Sequence, residues 1–316
     1  MSALPHPGVE DREVRADGVR VMQDQGVDSR ITFSDTQRQR LAEMSLHGLS
    51  DAPTFPDVAQ RDHAFEALHR DLVADNLRRL DEMRTVTRRP LLRRLDSAMT
   101  AALSAEGFVE VATPTIIGKG SLEKMGLGPD HPLWRQVYWV DGARCLRPML
   151  APNLYYLLSH LQRLWPLPVR IFEVGSCFRK ESKGSSHLSE FTMLNLVELG
   201  PGVGTRERLT ELAALVMGSV GMDYELRATD SDVYGATLDV EVAGLEVASG
   251  VAGPNPLDEV WGISDAWAGW GFGLERLAMA KESAPQIRRF GRGLMYLDGA
   301  RLNVQPERRT TQGEMP

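Results

Sequence analysis

Two cysteines, Cys145 and Cys177, are all that 316 residues carry. That is too few for a disulfide framework and suits a reducing cytoplasmic location. Both read as small buried hydrophobes rather than reactive thiols. No apolar run reaches the length of about eighteen residues that a transmembrane helix needs, so no membrane partner is expected. The stretch 1–30 is rich in Asp, Arg and Gly and lacks the apolar centre of a secretory signal. Also missing is a Walker-type loop ending in Lys-Ser/Thr: Gly200-Pro201-Gly202-Val203-Gly204 has the glycines without the lysine and reads as a plain turn. Any triphosphate must be gripped another way. Basic excess is absent too, since the net charge is −7, but a nucleic-acid partner needs only a local basic face.

Such a face is available. From Arg70 to Arg94 the chain carries Arg78, Arg79, Arg84, Arg88, Arg89, Arg93 and Arg94, although an ordinary solvated helix would look the same. A hydrophobic share of 42% and a charged share of 25% are ordinary for a soluble protein, long enough for one large domain or two modest ones.

Periodicity organises the rest. Thr32 to His47 reads as a helix, with Ser34 as N-cap and Gln37 completing a capping box. A second helical stretch runs from Val58 to Thr85. Pro90 opens a third, whose apolar positions are Leu91, Leu92, Leu95, Met99 and Leu103. Gly107 ends it, and Phe108 to Ala112 alternates like a strand. Val137 to Val140 and Arg144 to Arg147 read as a hairpin across Asp141-Gly142. Asn153 to Leu164 is helical, and so is Arg206 to Val220. Strands are expected at 169–174, 190–199, 238–242, 245–250 and 268–272, with a last helix from Gly273. Hairpin-spaced strands with segregated helices predict an α+β fold around an antiparallel sheet.

One segment carries unusual chemistry. Phe172 to Glu181 and His187 to Asn195 read as two strands flanking a polar loop. Alternation points Arg179 and Glu181 the same way and gives Phe191, Met193 and Asn195 one shared face. An exposed ion pair on a surface hairpin would explain the charges. It would not explain an asparagine ending an otherwise apolar face, because a buried amide needs partners and a ligand could supply them.

Phe178-Arg179-Lys180-Glu181 with its returning strand resembles the second signature motif of class II aminoacyl-tRNA synthetases. Gly271-Phe272-Gly273-Leu274-Glu275-Arg276 resembles the third, and the helix from Pro90 leading to Pro114 the first. Within that class the chain is similar to the catalytic domain of the pyrrolysyl family. The stretches carrying that likeness are Arg147 to Tyr155, Arg179 to Ser182, His187 to Asn195, Val233 to Gly235, Thr237 to Val240, Gly253-Pro254 and Pro256 to Asp258. A single such motif is weak; their joint order is strong.

The resemblance implies a class II fold with an antiparallel β-sheet flanked by helices. It also implies a homodimer that ligates pyrrolysine, or a similar Nε-acyl-lysine, to a suppressor tRNA with ATP and Mg2+. The expected division is a flexible leader at 1–30, a helical tRNA-contacting region at 31–89, a catalytic domain at 90–304 and a tail at 305–316. Nothing in the leader resembles the separate RNA-binding domain that family members often carry.

Arg179 and Arg276 are implied as catalytic. Arg179 would hold the α-phosphate and the amino-acid carboxylate, Glu181 the adenine amino group, Phe191 and Arg276 the two adenine faces, and His187 the outer phosphates. A solvated loop histidine is the plainer account of His187. Leu188, Met193 and Gly273 would complete the ATP site, and Glu246 with Ser249 would bind Mg2+. For that pair a structural role is a serious rival. The implied amino-acid pocket takes Ala151, Leu154, Tyr155, Leu158, Asn195, Val197, Tyr234, Val251, Trp267 and Gly269, with Asn195 on the side-chain amide and Tyr234 closing over the ring. Taken alone, the Ala151–Leu158 stripe is ordinary core. Two departures from the family stand out: Val197 replaces a cysteine, and Trp270 a small residue. Alternation aims Trp270 away from the face of Gly269 and Gly271.

Two other functions compete. A synthetase paralogue would activate an amino acid for a non-tRNA acceptor, and a regulatory relative would have lost the ATP-binding arginines, which this chain keeps.

Overall fold

The computed structural model describes residues 31–49, 53–180 and 184–305. The expected leader, most of the expected tail and Glu181 lie outside those residues. The helices and strands follow in chain order as α1 (Asp35–Met44), α2 (Val58–Glu82), α3 (Leu91–Ala105), β1 (Val109–Glu110), β2 (Ile116–Gly118), α4 (Lys119–Lys124), α5 (Pro132–Gln136) and β3 (Arg144–Leu146). Then come α6 (Ala151–Leu161), β4 (Val169–Phe178), β5 (Glu190–Leu199), α7 (Thr205–Val220), β6 (Glu225–Ser231), β7 (Gly235–Val242) and β8 (Leu245–Ala252). The last are α8 (Asp258–Trp261), β9 (Trp267–Gly273), α9 (Leu274–Lys281), β10 (Tyr296–Leu297) and β11 (Ala300–Arg301).

Seven strands form the central sheet in the order β1-β4-β5-β9-β8-β7-β6. Its strands pair antiparallel except β1, which runs parallel to β4. The helix α3 precedes β1 and carries the chain to the sheet edge, which permits that parallel start. Alternation then assigns each face. Phe172, Leu194, Leu196, Ala268, Trp270 and Phe272 pack with α3, α7 and α9 in one core. Ile171, Val197, Leu199, Val251 and Trp267 belong to a second core with α6 and α8 on the other face. The functional cavity opens on this second face.

Local signals explain the helices well. The Ser34 hydroxyl accepts from the Gln37 N–H at 3.3 Å and the Gln37 side chain accepts from the Ser34 N–H at 3.0 Å, completing the expected capping box. Asp57 caps α2 by accepting from the Gln60 N–H at 2.8 Å. The five apolar positions expected in α3 are the five it buries. A π-helical turn at Met83–Thr87 ends α2, and Arg88 leaves it with φ 54° in the left-handed region.

Three expectations change. The strand expected at Phe108–Ala112 shrinks to Val109–Glu110, because β1 is an edge strand with only β4 as partner. The hairpin expected from Val137 to Arg147 forms in shortened shape: around the antiparallel bridge Trp139–Cys145, the Leu146 N–H donates to the Tyr138 carbonyl and the Val140 N–H to the Arg144 carbonyl, both at 2.9 Å. Arg144–Leu146 also pairs with Ile116–Gly118, a partner not expected from the sequence. Asp141 still makes the turn, its carboxylate accepting from the N–H groups of Ala143 and Arg144 at 2.9 and 2.8 Å. The strand β6 was unforeseen; its burial pattern is mostly exposed, so it has little of the apolar alternation that reveals a strand.

Candidate active site

Between the sheet and α6 lies a cavity of about 760 Å³, within the usual range for a small-molecule site. Strand geometry builds its floor. Along β9 the pocket face receives Trp267, Gly269, Gly271 and Gly273, so three of four positions carry no side chain. A Cβ on Gly271 would lie 3.2 Å from Met193 Cε and 3.4 Å from the Asn195 amide; one on Gly269 would lie 3.1 Å from the Leu196 carbonyl. Bare backbone therefore runs under the cavity where a flat ligand can lie against it.

One cross-strand row crosses this floor: Asn195 on β5, Gly271 on β9, Ser249 on β8 and Asp239 on β7. Both ends of the row hold unsatisfied polar atoms. Asn195 Oδ1 and Asp239 Oδ1 are buried without a hydrogen-bond partner, an arrangement that marks a place for a donor from outside the chain. Asp239 Oδ2 accepts from the Thr229 hydroxyl at 2.6 Å, which fixes the carboxylate.

A β-bulge explains Glu246 and Ser249. Three residues apart, they belong on opposite faces of a regular strand. The β7–β8 register slips between Val240 and Glu241, so Ser249 faces Asp239 while Glu246 faces Glu241. Val247 and Ala248 both turn into the helix-side core, and Glu246 and Ser249 share the pocket face. Among the described residues no cluster of three acidic, His or Cys ligands occurs. A Mg2+ ion held by one or two protein oxygens plus ligand phosphates and water needs no such cluster, so the pair fits that role.

The cations converge on the same cavity. Arg276, in the first turn of α9, has Nη1 at 3.2 Å from both the carbonyl and Oε1 of Glu246, and Nη2 at 3.5 Å from His187 Nε2. Arg179 follows the last residue of β4; its Nε donates to the Pro148 carbonyl at 2.9 Å, and its guanidinium lies 5.3 Å from the Phe191 ring centroid. The Pro148 contact helps fix the direction of the fork, whose planar geometry suits an anion. Next to Arg276, Glu275 is buried, and both carboxylate oxygens accept from the Thr192 N–H at 2.9 and 2.8 Å. Burial raises its pKa.

At the far end, Ala151, Leu154, Tyr155 and Leu158 from α6 meet Val197, Val251, Trp267 and Gly269 from the sheet, giving an apolar pocket. Tyr234 closes it from the turn between β6 and β7. Burial raises the Tyr234 phenol above its ordinary value, and the charge of Asp258 adds to the effect. All the expected site residues within the described part of the chain line this single cavity. Expected Glu181 falls outside the described residues. Trp270 reaches the lining by its backbone strand, but its indole Nε1 donates to the Leu209 carbonyl of α7 at 2.9 Å, on the helix side of the sheet.

Sequence reasoning assigned no role to Glu275, Asp239 or Asp258. Each stands inside a quoted motif, and each is an acidic residue at a position where alternation or the neighbouring apolar residues demand burial. That conflict was the available signal.

The arginine-rich stretch is not a bare cationic face. Arg78 and Arg79 pair with Asp75, Arg84 with Asp81, Arg93 with Asp96, and Arg94 lies 3.8 Å from Asp298. Arg70, Arg78, Arg84, Arg88, Arg89, Arg93 and Arg94 remain exposed, and surface pairs of this kind are worth little energy.

The family model for the class II core domain (F) of tRNA synthetases matches residues 81–298. A crystal structure of pyrrolysyl-tRNA synthetase from Desulfitobacterium hafniense is similar with a TM-score of 0.81 at 49% identity, over 87% of this chain and 99% of that one. A second structure from the same organism gives a TM-score of 0.79 at 47% identity, over 86% and 96%. The phenylalanine–tRNA ligase α subunit of Acaryochloris marina is 25% identical over 180 residues, 54% of this chain and 53% of that protein. The O-phosphoserine–tRNA(Cys) ligase of Methanospirillum hungatei is 27% identical over 172 residues, 50% of this chain and 32% of that protein. The chain thus spans about half, or less, of the length of these two curated relatives.

Proposed function

The chain belongs to the class II aminoacyl-tRNA synthetase family, and from that premise we propose that it joins pyrrolysine, or a similar Nε-acyl-lysine, to a cognate suppressor tRNA. One observation carries the reading: the cavity that gathers Arg179, Phe191 and Arg276 also ends in an apolar pocket guarded by the carboxamide of Asn195, whose Oδ1 is buried and unsatisfied. An Nε-acyl amide presents one acceptor and one donor, complementary to a carboxamide, whereas the ammonium of ordinary lysine would enter an apolar pocket unpaired.

The reaction needs no protein nucleophile. The amino-acid carboxylate attacks the α-phosphorus of ATP and pyrophosphate leaves; a terminal ribose hydroxyl of tRNA then attacks the adenylate carbonyl and AMP leaves. Arg179 stabilises the charge that develops on the α-phosphate. Phe191 and Arg276 sandwich the adenine, while His187 and Arg276 meet the outer phosphates. Bound at Glu246 and Ser249, Mg2+ would neutralise phosphate charge. Glu181 is assigned to the adenine amino group and Tyr234 to closing the pocket. The helical region at 31–89 and its exposed arginines take the tRNA, in a cytoplasmic homodimer.

ATP–pyrophosphate exchange driven by a panel of Nε-acyl-lysines tests this. Exchange with at least one of them is the expected result; none from a protein that binds ATP would overturn the substrate. The rival, an activating enzyme for a non-tRNA acceptor, would exchange pyrophosphate and yet never charge tRNA.

A further inference from the structure

Asp258 opens α8, outside the cavity lining, in the segment that follows Gly253-Pro254. Its side chain is buried, at 5% exposure. A buried carboxylate is costly unless its lone pairs are filled, and here three donors fill them. The Tyr155 hydroxyl donates to Oδ1 at 3.1 Å, the Trp267 indole Nε1 to Oδ2 at 2.9 Å, and the Asn255 backbone N–H to Oδ2 at 2.7 Å. Two of these donors are aromatic walls of the amino-acid pocket. The third belongs to a residue whose own amide nitrogen donates to the Tyr234 carbonyl at 3.0 Å. One carboxylate thereby ties α6, β9 and the β6–β7 turn together. Space has been left for it: a Cβ on Gly253 would lie 2.1 Å from Trp267 Nε1.

We propose that Asp258 is a positioning residue for the amino-acid pocket, holding Tyr155 and Trp267 as fixed walls and, through Asn255, setting where the Tyr234 closure rests. This rests on the pocket assignment made above. Tyr155 and Trp267 meet edge to face with centroids 5.7 Å apart, and Asp258 accepts the side-chain hydrogen bond of each ring. Release either donor from Asp258 and a new rotamer fills the space the substrate side chain needs. Burial, with Tyr234 and Asp258 adding to it, keeps the Tyr155 phenol protonated, so its hydroxyl stays the donor. The donors to Asp258 belong to Tyr155, Trp267 and Asn255, all on the amino-acid side of the cavity, so the effect falls on that subsite rather than on the ATP half.

The test is Asp258→Asn, which keeps shape, removes the charge and replaces one acceptor with a donor. In pyrophosphate exchange the amino-acid KM should rise about tenfold or more, with the ATP KM within about twofold, because the lesion is confined to one subsite. A purely structural role would lower the active fraction and scale kcat down while leaving both KM values in place; that outcome overturns the proposal, as does an equal rise in both. A second measurement needs no substrate. Hydrogen exchange on the unliganded protein should accelerate across 231–237 in both Asp258→Asn and Asn255→Ala, with β4 and β5 unchanged. Unaltered exchange at 231–237 would refute the link to Tyr234. If the parent protein exchanges pyrophosphate with no Nε-acyl-lysine, the substrate assignment has failed, and the hydrogen-exchange result still decides the role of Asp258.

Discussion

Arg276 and Glu246, thirty residues apart in sequence, form an ion pair at 3.2 Å across the α9–β8 junction. Their side chains are 26% and 49% exposed, so the pair adds little to stability. In the proposed function one partner meets the triphosphate directly and the other through Mg2+, and on that proposal each neutralises the other until both are recruited. Glu246→Gln should therefore raise the Mg2+ concentration needed for half-maximal pyrophosphate exchange by about tenfold or more. Melting should shift by no more than about 0.5 kcal/mol. Metal-free ATP should bind the variant at least as tightly as the parent, since Arg276 is released. Calorimetry with ATP and EDTA checks this, and an unchanged Mg2+ requirement would remove Glu246 from the metal site.

Arg179 donates from Nε to the Pro148 carbonyl, which helps orient its guanidinium. Arg179→Ala should lower the rate of adenylate formation by about 10²–10³, the usual loss when a donor to developing oxyanion charge is removed. Arg179→Lys should recover little, because an ammonium cannot keep the Pro148 contact and also present a planar fork. Single-turnover formation of the adenylate measures both, and a lysine variant near parental activity would sink the forked-contact argument.

How much of this was legible beforehand depends on the kind of signal. Helices declared themselves through local chemistry: Ser34 with Gln37, and the five apolar positions of α3, needed no tertiary information. The site residues were reachable because motif order and strand alternation agree, as with Phe191, Met193 and Asn195 on one face of β5. What stayed hidden depended on pairing across distance. The bulge at Val247 that lets Glu246 and Ser249 share a face is a property of the β7–β8 register. The three donors on Asp258 come from three separate segments. The strand β6 is recognisable only by its partner β7. Arg144–Leu146 pairs with Ile116–Gly118 as well as with the nearer arm, and that second pairing is contained in no window of local sequence.

Trp270 separates core from pocket in a way mutation can read. Its indole is 2% exposed and packs with Phe272 and α7, with ring centroids 5.7 Å apart for Trp270–Phe272. Trp270→Ala should cost about 3–5 kcal/mol in denaturant unfolding. The folded fraction should keep its KM values, since no pocket atom is removed. Gly250 adds a reciprocal check, because a Cβ there would meet the indole at 2.7 Å. Gly250→Ala should destabilise the parent protein and be far better tolerated beside Trp270→Ala. A Trp270→Ala protein that accepts markedly larger amino acids would contradict this placement.

Glu275 gives a pH-dependent prediction with a definite sign. Burial raises its pKa above 4.5 in the folded protein, so the folded state binds a proton more tightly than the unfolded chain does. The corresponding stability is fully present below the unfolded value and is lost as pH rises through the folded one. Glu275→Gln imitates the protonated form, keeping a carbonyl oxygen for the Thr192 N–H while carrying no charge. The melting temperature of the parent should therefore fall relative to that of Glu275→Gln as pH rises above about 4.5, the variant gaining ground toward neutrality. Parallel thermal melts of the two proteins across a pH series measure the gap. A gap that moves the other way would mean that the two contacts to Thr192 stabilise the carboxylate by more than its desolvation costs, and that Glu275 is held ionised beside Arg276.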